Sequence, residues 1–404
     1  MPSRAQRFLQ SAAAALLVLA TLASATHAHA QLAVRVENTL QIDRPDETIG
    51  VPWSSVIQRV AGATARHIRV TDVGAAHAVV AQVVDNDGDG SPDELIFQAS
   101  FAPGETKSFV LESAEPTPPP AKDRVFVMHT DPRDDVAWES DRIAYRIYGQ
   151  GLWKVDSLLS SGVDVWVKRV RDPIVRKWYA KGHDEYHHDT GEGADFFDVG
   201  QSLGAGGTAI WRNGRLFPAA NFKSWRIIAN GPVRLIFELQ YETWNAGGIS
   251  VTETKRISLD AGHNLNHVIS TFRTSDSAAD IPFVVGLVKR TGVVGSESRA
   301  HALAWLSEWG SVLPKDGGHG DLGIAVLLPR DHVDDWKETT DHYLAVSHAR
   351  SGASVSYYIG AGWTDSGDFE DVSAWWRYLD HAAQRIETPV KITLGPTSPI
   401  RQAR

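Results

Sequence analysis

Between Gly182 and Gly200 the chain reads GHDEYHHDTGEGADFFDVG, which sets His183, His187, His188, the phenol of Tyr186 and several carboxylates in a run broken by glycines. Imidazoles and phenols are not needed to keep a loop in water. Their chemistry is proton transfer: a neutral histidine accepts a proton near pH 7, and a tyrosine of tuned pKa gives or takes one. That combination suits elimination of a group beta to a carboxylate, as in a uronic acid. A base removes the proton from the carbon bearing the carboxylate, and an acid protonates the departing oxygen. Cations or hydrogen-bond donors must neutralise the carboxylate, or the proton stays too weakly acidic. His183, Tyr186, His187 and His188 are the candidate acid and base, with the two roles unassigned among them.

Arg226, Arg234 and Arg256, in the strands that follow, are candidates for the carboxylate clamp, because a guanidinium meets a carboxylate in a planar, two-point manner. Trp225 and Trp244 offer stacking faces, and Asp195 is a further candidate for holding substrate. Each arginine also has a plainer reading as a surface ion pair. Two rival chemistries use the same run. Asp184, Glu185, Asp189, Glu192 and Asp195 supply the paired carboxylates of a glycoside hydrolase, where the separation of the pair decides the reaction. A zinc site is the other rival. However, HDEYH displaces Glu185 by one position from H-E-x-x-H, and Gly182, Gly191 and Gly193 disfavour a helix that would align His183 with His187. The chain has no G-x-S-x-G, phosphate-binding loop or dinucleotide fingerprint, which counts against esterases, kinases and dehydrogenases. GQSLGAGG, from Gly200, reads as a turn that lets backbones approach closely.

A second cluster lies upstream. In DNDGDGSPDE, Asp85, Asp87 and Asp89 alternate, Gly90 follows for a sharp turn, and Asp93 comes further on. Carboxylates so spaced converge on one hard cation, so a structural calcium is one reading and a plain acidic turn the other. Ile96 stands where a helix–loop–helix calcium site has its closing glutamate, and the flanking segments read as strands. The elimination itself requires no cofactor.

The elements that must position these groups are mostly strands. LAVRVENTL, ARHIRVTDV, HAVVAQVVD, ELIFQASF and TKSFVLES are short, rich in branched residues and separated by Gly, Pro and Asp, the pattern of a small β-sandwich-like domain over residues 31–112. SAEPTPPPAKD, residues 113–123, is a proline-rich linker. Residues 124–404 form a larger β domain. Within it VRLIFELQYETW places Val233, Leu235, Phe237, Leu239 and Tyr241 on one face, and ISVTETKRISL places Ser250, Thr252, Thr254, Arg256 and Ser258 on one face. A large antiparallel sheet with one polar face fits both. Near the C-terminus Trp375, Trp376, Leu379, Ala382, Ala383 and Ile386 recur at helical spacing, with Asp368 as the expected cap.

Arg4 and Arg7, the apolar run AAAALLVLATLA and Ala28-His29-Ala30 read as a signal peptide over residues 1–30 with cleavage after Ala30, which implies a periplasmic or secreted protein. No apolar run is long enough for a membrane span. The formal charge of −9 becomes −11 without the leader, whose two arginines are its only charges. So acidic a chain is a poor partner for nucleic acid or anionic lipid. It has no cysteine, hence no disulfide, thiolate nucleophile or thiolate-bound metal. Its 14 tryptophans serve either sugar stacking or a large β core. Nothing in the sequence sets an oligomeric state.

VENTLQIDRPDETIGVPWSSV, DNDGDGSPDELIF, YHHDTGEGADFFDVGQSLGAGG, WRIIANGPVRLIFELQYETW, ISLDAGHNLN and YYIGAGWTDSGDFEDVSAWWRYL together resemble a secreted bacterial family long labelled a domain of unknown function. Its members sit in polysaccharide-utilisation clusters beside lyases and unsaturated-uronyl hydrolases. One branch acts as an oligosaccharide dehydratase in ulvan breakdown, removing water from a non-reducing-end uronic acid. The resemblance spans nearly the whole mature chain. It implies a mainly all-β fold similar to the galactose-mutarotase-like β-supersandwich, and an exported carbon–oxygen lyase acting on uronic-acid-containing oligosaccharides. A non-catalytic glycan-binding protein and a two-carboxylate hydrolase are the alternatives.

Overall fold

The computed structural model of the chain describes residues 31–118, 123–313 and 319–396. The expected signal peptide and residues 119–122 of the linker lie outside the described residues.

The small unit grows from alternation. In Leu32–Glu37 the residues Leu32, Val34 and Val36 are fully buried. This strand lies between Thr106–Glu112 and Lys391–Pro396, and Arg69–Asp72 and His77–Val79 extend the sheet to five strands. A three-stranded sheet of Arg44–Pro52, Glu94–Phe101 and Ala81–Val84 packs on it, and Ile49, Val51, Phe97, Phe109 and Leu111 join the core between. Arg44–Pro52 is not legible as a strand because its register shifts between Arg44 and Glu47 around Pro45 and Asp46, whose φ is 48°. Helix α1, Trp53–Arg59, follows and buries Trp53 and Val56. One boundary needs correction. The sequence placed residues 391–396 in the large domain, yet this last strand pairs with the first, so the small unit holds both ends of the described chain.

The large unit is a two-layered, antiparallel supersandwich, as expected. One layer has nine strands and includes Ser224–Asn230, Arg234–Gln240, Ser250–Asp260, Leu265–Arg273 and Ser354–Trp363. The other consists of two five-stranded sheets. One runs Gly193–Ala194, Asp164–Lys168, Ala144–Tyr148, Asp135–Ser140, Val125–Thr130; the second is built around Ala205–Arg212 and Asp280–Val288. A parallel bridge from Val163 to Gly204 joins them. Gly204 has φ +58°, and a Cβ there would strike the Val163 carbonyl, so the glycine-rich GQSLGAGG turn is indeed a close backbone approach. Leu235, Phe237, Leu239 and Tyr241 enter the core between the layers as their alternation requires. Val233 instead packs with Ile236 against Val84 and Ile96 of the small unit. The inner face of Ser250–Asp260 also buries a charged pair: Glu253 lies 3.5 Å from Lys255 and accepts hydrogen bonds from Thr208 and Ser270.

Two helices cover the outer faces. Helix α2, Val175–Lys181, buries Val175 and Trp178. Helix α3, Val372–Glu387, buries Trp375, Leu379, Ala382 and Ala383 beside Trp305 and Trp309. Its cap is Asp371, whose Oδ1 accepts the Ala374 N–H at 2.8 Å. Asp368 is drawn away instead by Arg142 and Arg171. Asp371→Ala is expected to lower stability by about 1 kcal/mol in denaturant unfolding.

Candidate active site

The site stands on the outer face of the five-stranded sheet that contains Ala144–Tyr148. Tyr145 and Ile147 point into the sandwich core, which turns Arg146 to the opposite face. Cross-strand register places Arg146 opposite Asp164, and Tyr148 opposite Asp135. Trp166, Val175, Trp178 and Tyr186 form an apolar cover over this face. Trp166 stacks at 5.6 Å on Trp178 and lies 4.7 Å from Tyr186. The histidine-rich run crosses the cover as a short turn, Glu185–His187, and then returns to the sheet through Gly193–Ala194. Gly193 has φ +109°, and a Cβ there would meet the Val167 carbonyl. This return delivers Asp195 beneath the turn, where its N–H donates to the Tyr186 carbonyl at 2.9 Å.

A buried polar network results. Arg146 donates to Asp164 Oδ2 through Nε at 2.8 Å and Nη2 at 2.5 Å, to Asp195 Oδ2 through Nη2 at 2.7 Å, and to the Tyr186 hydroxyl through Nη1 at 3.1 Å. The Tyr148 hydroxyl donates to Asp164 Oδ2 at 3.1 Å. Burial, then the charge of Asp164, raises Asp195 well above the usual carboxylate range. Burial likewise raises Asp164. With one guanidinium between two buried carboxyls, the Asp164–Asp195 pair favours holding a proton between them. Asp135 is pushed up to about 6 by burial, against the pull of Arg146 and Arg133.

Above this network lies a cavity of about 540 Å³ lined by His183, His187, Asp195, Arg133, Arg146 and Tyr148 among others. His187 Nδ1 lies 3.0 Å from the Asp195 carbonyl oxygen. A carbonyl can only accept, so Nδ1 carries the proton and Nε2 is left as the free base. Burial lowers the His187 pKa further, keeping the ring neutral. Arg133, in the turn before Asp135–Ser140, reaches the same cavity. Its one ionic neighbour is Asp135 at 3.7 Å, and its Nε is buried with no hydrogen-bond partner among the described residues.

Of the four expected acid–base residues, the cavity wall takes His183 and His187, Tyr186 lies beneath, and His188 is exposed outside the lining. Asp195 lines the cavity as well, with its carboxyl on Arg146. The expected clamp and platform do not. Arg226 donates to the Gly88 carbonyl at 2.7 Å, and Arg256 to the carbonyls of Asn86 and Asp87. Arg234 is tied to Asp260 at 2.6 Å and Glu94 at 2.9 Å. All three sit on the outer face of the nine-stranded sheet and fasten the small unit to it. Trp225 stacks on His129 at 4.3 Å, and Trp244 donates to the Phe217 carbonyl. The other carboxylates of the run scatter. Asp184 is 97% exposed, Asp189 pairs with Arg169, and Glu192 with Lys177.

In the acidic loop, carboxylate oxygens of Asp85, Asp87 and Asp89 lie within 4.8 Å of one another. Asp93 is diverted to accept the Asn86 N–H at 2.6 Å, and the carbonyls of residues 86–88 are engaged by Arg226 and Arg256. Burial raises Asp85 a little, but the N–H groups of Gly90, Gly88 and Asp89 outweigh it and hold the carboxyl below its usual range.

The residues that sequence reasoning missed are Arg133, Asp135, Arg146, Tyr148 and Asp164. Arg146 carried a usable signal, since a lone cation in the apolar strand AYRIY needs a buried partner.

Residues 36–392 match the family model described as "Domain of unknown function (DUF4861)", and the chain belongs to that family. It is similar to "Uncharacterized protein P7" of Formosa agariphila, 30% identical over 383 residues that cover 89% of this chain and 93% of that one. In fold it is similar to an alpha-mannosidase from Enterococcus faecalis V583, with TM-score 0.50 and 10% identity over 97% of this chain and 48% of that one. It is also similar to a protein in the glycosyl hydrolase family 38 from Enterococcus faecalis, with TM-score 0.50 and 11% identity over 91% of this chain and 47% of that one. The chain thus spans about half the length of these two structures, and the likeness to them is one of fold.

Proposed function

We propose that this DUF4861 member is an exported carbohydrate-active enzyme that eliminates water, or a glycosidic leaving group, from a uronic-acid residue of an oligosaccharide. The observation that carries the reading is the convergence, on one cavity, of a neutral imidazole with a free Nε2, a carboxyl whose pKa burial raises and the Arg133 guanidinium. The uronate carboxylate is placed on Arg133. His187 Nε2 removes the proton from the adjacent ring carbon, and Arg133 holds the negative charge that develops on the carboxylate. The electron pair forms a carbon–carbon double bond as the beta oxygen departs. Asp195 gives its proton to that oxygen, so the substrate loses one water or one alcohol, and His187 later returns its proton to Asp195 through solvent. Arg146 positions Asp195 and does not touch substrate. The leader's basic head, apolar run and Ala28-His29-Ala30 support export.

A protonated Asp195 is also what the acid of a glycoside hydrolase requires. That second reading predicts a new reducing end and no unsaturation. Arg133 separates the two. Under elimination, Arg133→Ala should lower kcat/KM by roughly 100- to 1000-fold, the scale for losing one donor to developing charge. The loss should vanish on a substrate whose carboxylate is reduced to a primary alcohol, for which both proteins are equally slow. An equal loss on both substrates would count against the carboxylate clamp.

A further inference from the structure

A second cavity, of about 530 Å³, lies far from the histidine run, where the small unit, the outer face of the nine-stranded sheet and helix α3 meet. Its size is that of a small-ligand pocket. Its acids are already satisfied: Asp260 is gripped in two-point fashion by Arg234 at 2.6 and 2.9 Å, and Glu47 pairs with Arg44 at 2.9 Å. Of its arginines, Arg234 is taken by that pairing and Arg256 by Glu238 at 3.1 Å, which leaves Arg385. Arg385, in the last turn of α3, makes no side-chain hydrogen bond or ion pair among the described residues. Arg256 Nε is buried there without a partner. The buried Arg44 lies close by, with Nη1 3.5 Å from the Arg385 carbonyl, but Glu47 balances its charge, so Arg385 is the uncompensated cation at that end among the described residues. The floor is different. Tyr358 and His267 stack at 4.8 Å, flanked by Ile236, Leu265 and Ile269. Burial, then the charge of Arg234, holds the His267 pKa down to about 4, so this ring pair adds no charge of its own at neutral pH.

A flat uncharged platform beside an unused guanidinium suits a sugar ring that carries an anionic group. We infer that this cavity is a second glycan site, taking the charged residue of an acidic oligosaccharide with its carboxylate or sulfate on Arg385 and its ring face on the Tyr358–His267 stack. In taking the ligand to be a sugar, the inference rests on the carbohydrate reading above. It does not need the elimination chemistry. The small unit is then half of a binding site, since it supplies Glu47, Thr48 and Asn86 to the cavity wall.

The test is calorimetric titration of the full chain carrying His187→Ala, which prevents turnover, with a short oligoglucuronate, a sulfated dextran oligomer and a neutral cello-oligosaccharide. Two binding events with an anionic oligomer are expected. Adding Arg385→Gln or Tyr358→Ala should weaken one of them at least 10-fold, and in Arg385→Gln the melting temperature stays unchanged. The oligoglucuronate arm identifies a carboxylate site, the sulfated arm a sulfate site, and either supports the inference. A titration unchanged by both substitutions, or equal binding of the neutral oligomer, overturns it. Arg385-dependent binding in a wild-type chain that never unsaturates a uronate would sink the elimination and leave this site standing.

Discussion

His187→Ala is expected to reduce turnover of a uronic-acid oligosaccharide by roughly 100- to 10,000-fold, the span for removing a general base, with KM changed little. His187 touches the reacting proton but not the carboxylate, so its loss falls on the transition state rather than on binding. The hydrogen bond from Nδ1 to the Asp195 carbonyl fixes the tautomer, whereas His183, 5.0 Å away between ring centres, has its Nδ1 3.2 Å from the fully solvated Asp184 carboxylate, a weaker anchor. His183→Ala should therefore cost far less than His187→Ala. The pH profile has a definite sign. Activity requires His187 neutral, and its pKa lies below the ordinary 6.5, so the acidic limb should fall below that value. Activity also requires Asp195 protonated, and its pKa is raised by burial and by Asp164, so the alkaline limb should lie above the ordinary carboxylate range. His187→Ala should erase the acidic limb. A variant retaining wild-type turnover within about threefold would remove His187 from the base role.

Arg146→Ala should have the largest effect on stability, about 3–5 kcal/mol, because it leaves buried Asp164 and Asp195 without their shared cation. The side chain of Asp164 is inaccessible, at 0% exposure, so water cannot replace its lost hydrogen bonds. A fall in Tm on the order of 10 °C is the corresponding thermal result. Arg146→Lys should recover only a fraction, since one ammonium cannot reach Asp164, Asp195 and Tyr186 together. Adding Asp164→Asn to Arg146→Ala should restore part of the loss by removing one uncompensated charge. A loss under about 1 kcal/mol would mean that the network is not electrostatically strained by burial.

Legibility followed periodicity. The alternation in residues 235–241 and 250–260 assigned inner and outer faces correctly, with Val233 the exception, and the spacing of Trp375, Leu379, Ala382 and Ala383 located a helix with a buried stripe. Alternation says which face a residue takes but not what covers that face. Arg226, Arg234 and Arg256 were therefore read as open to substrate, whereas the acidic loop and Glu94 of the small unit occupy them. The histidine-rich run supplied part of the candidate cavity's lining because its polar groups are concentrated in one stretch. The rest comes from Arg133, Arg146 and Asp164, which precede Gly182 by 49, 36 and 18 residues and meet the run only through sheet register. The same limit hid the last strand, whose partner lies at the opposite end of the described chain.

The most direct measurement of the central claim is ultraviolet absorbance, at the band of a conjugated uronate double bond, during incubation with saturated uronic-acid oligosaccharides, with mass spectrometry of the products. The account predicts rising absorbance with loss of one water, or with chain cleavage and unsaturation at the new non-reducing end. It also predicts that neither occurs in the His187→Ala protein. Shortened products with a new reducing end and no absorbance would contradict it.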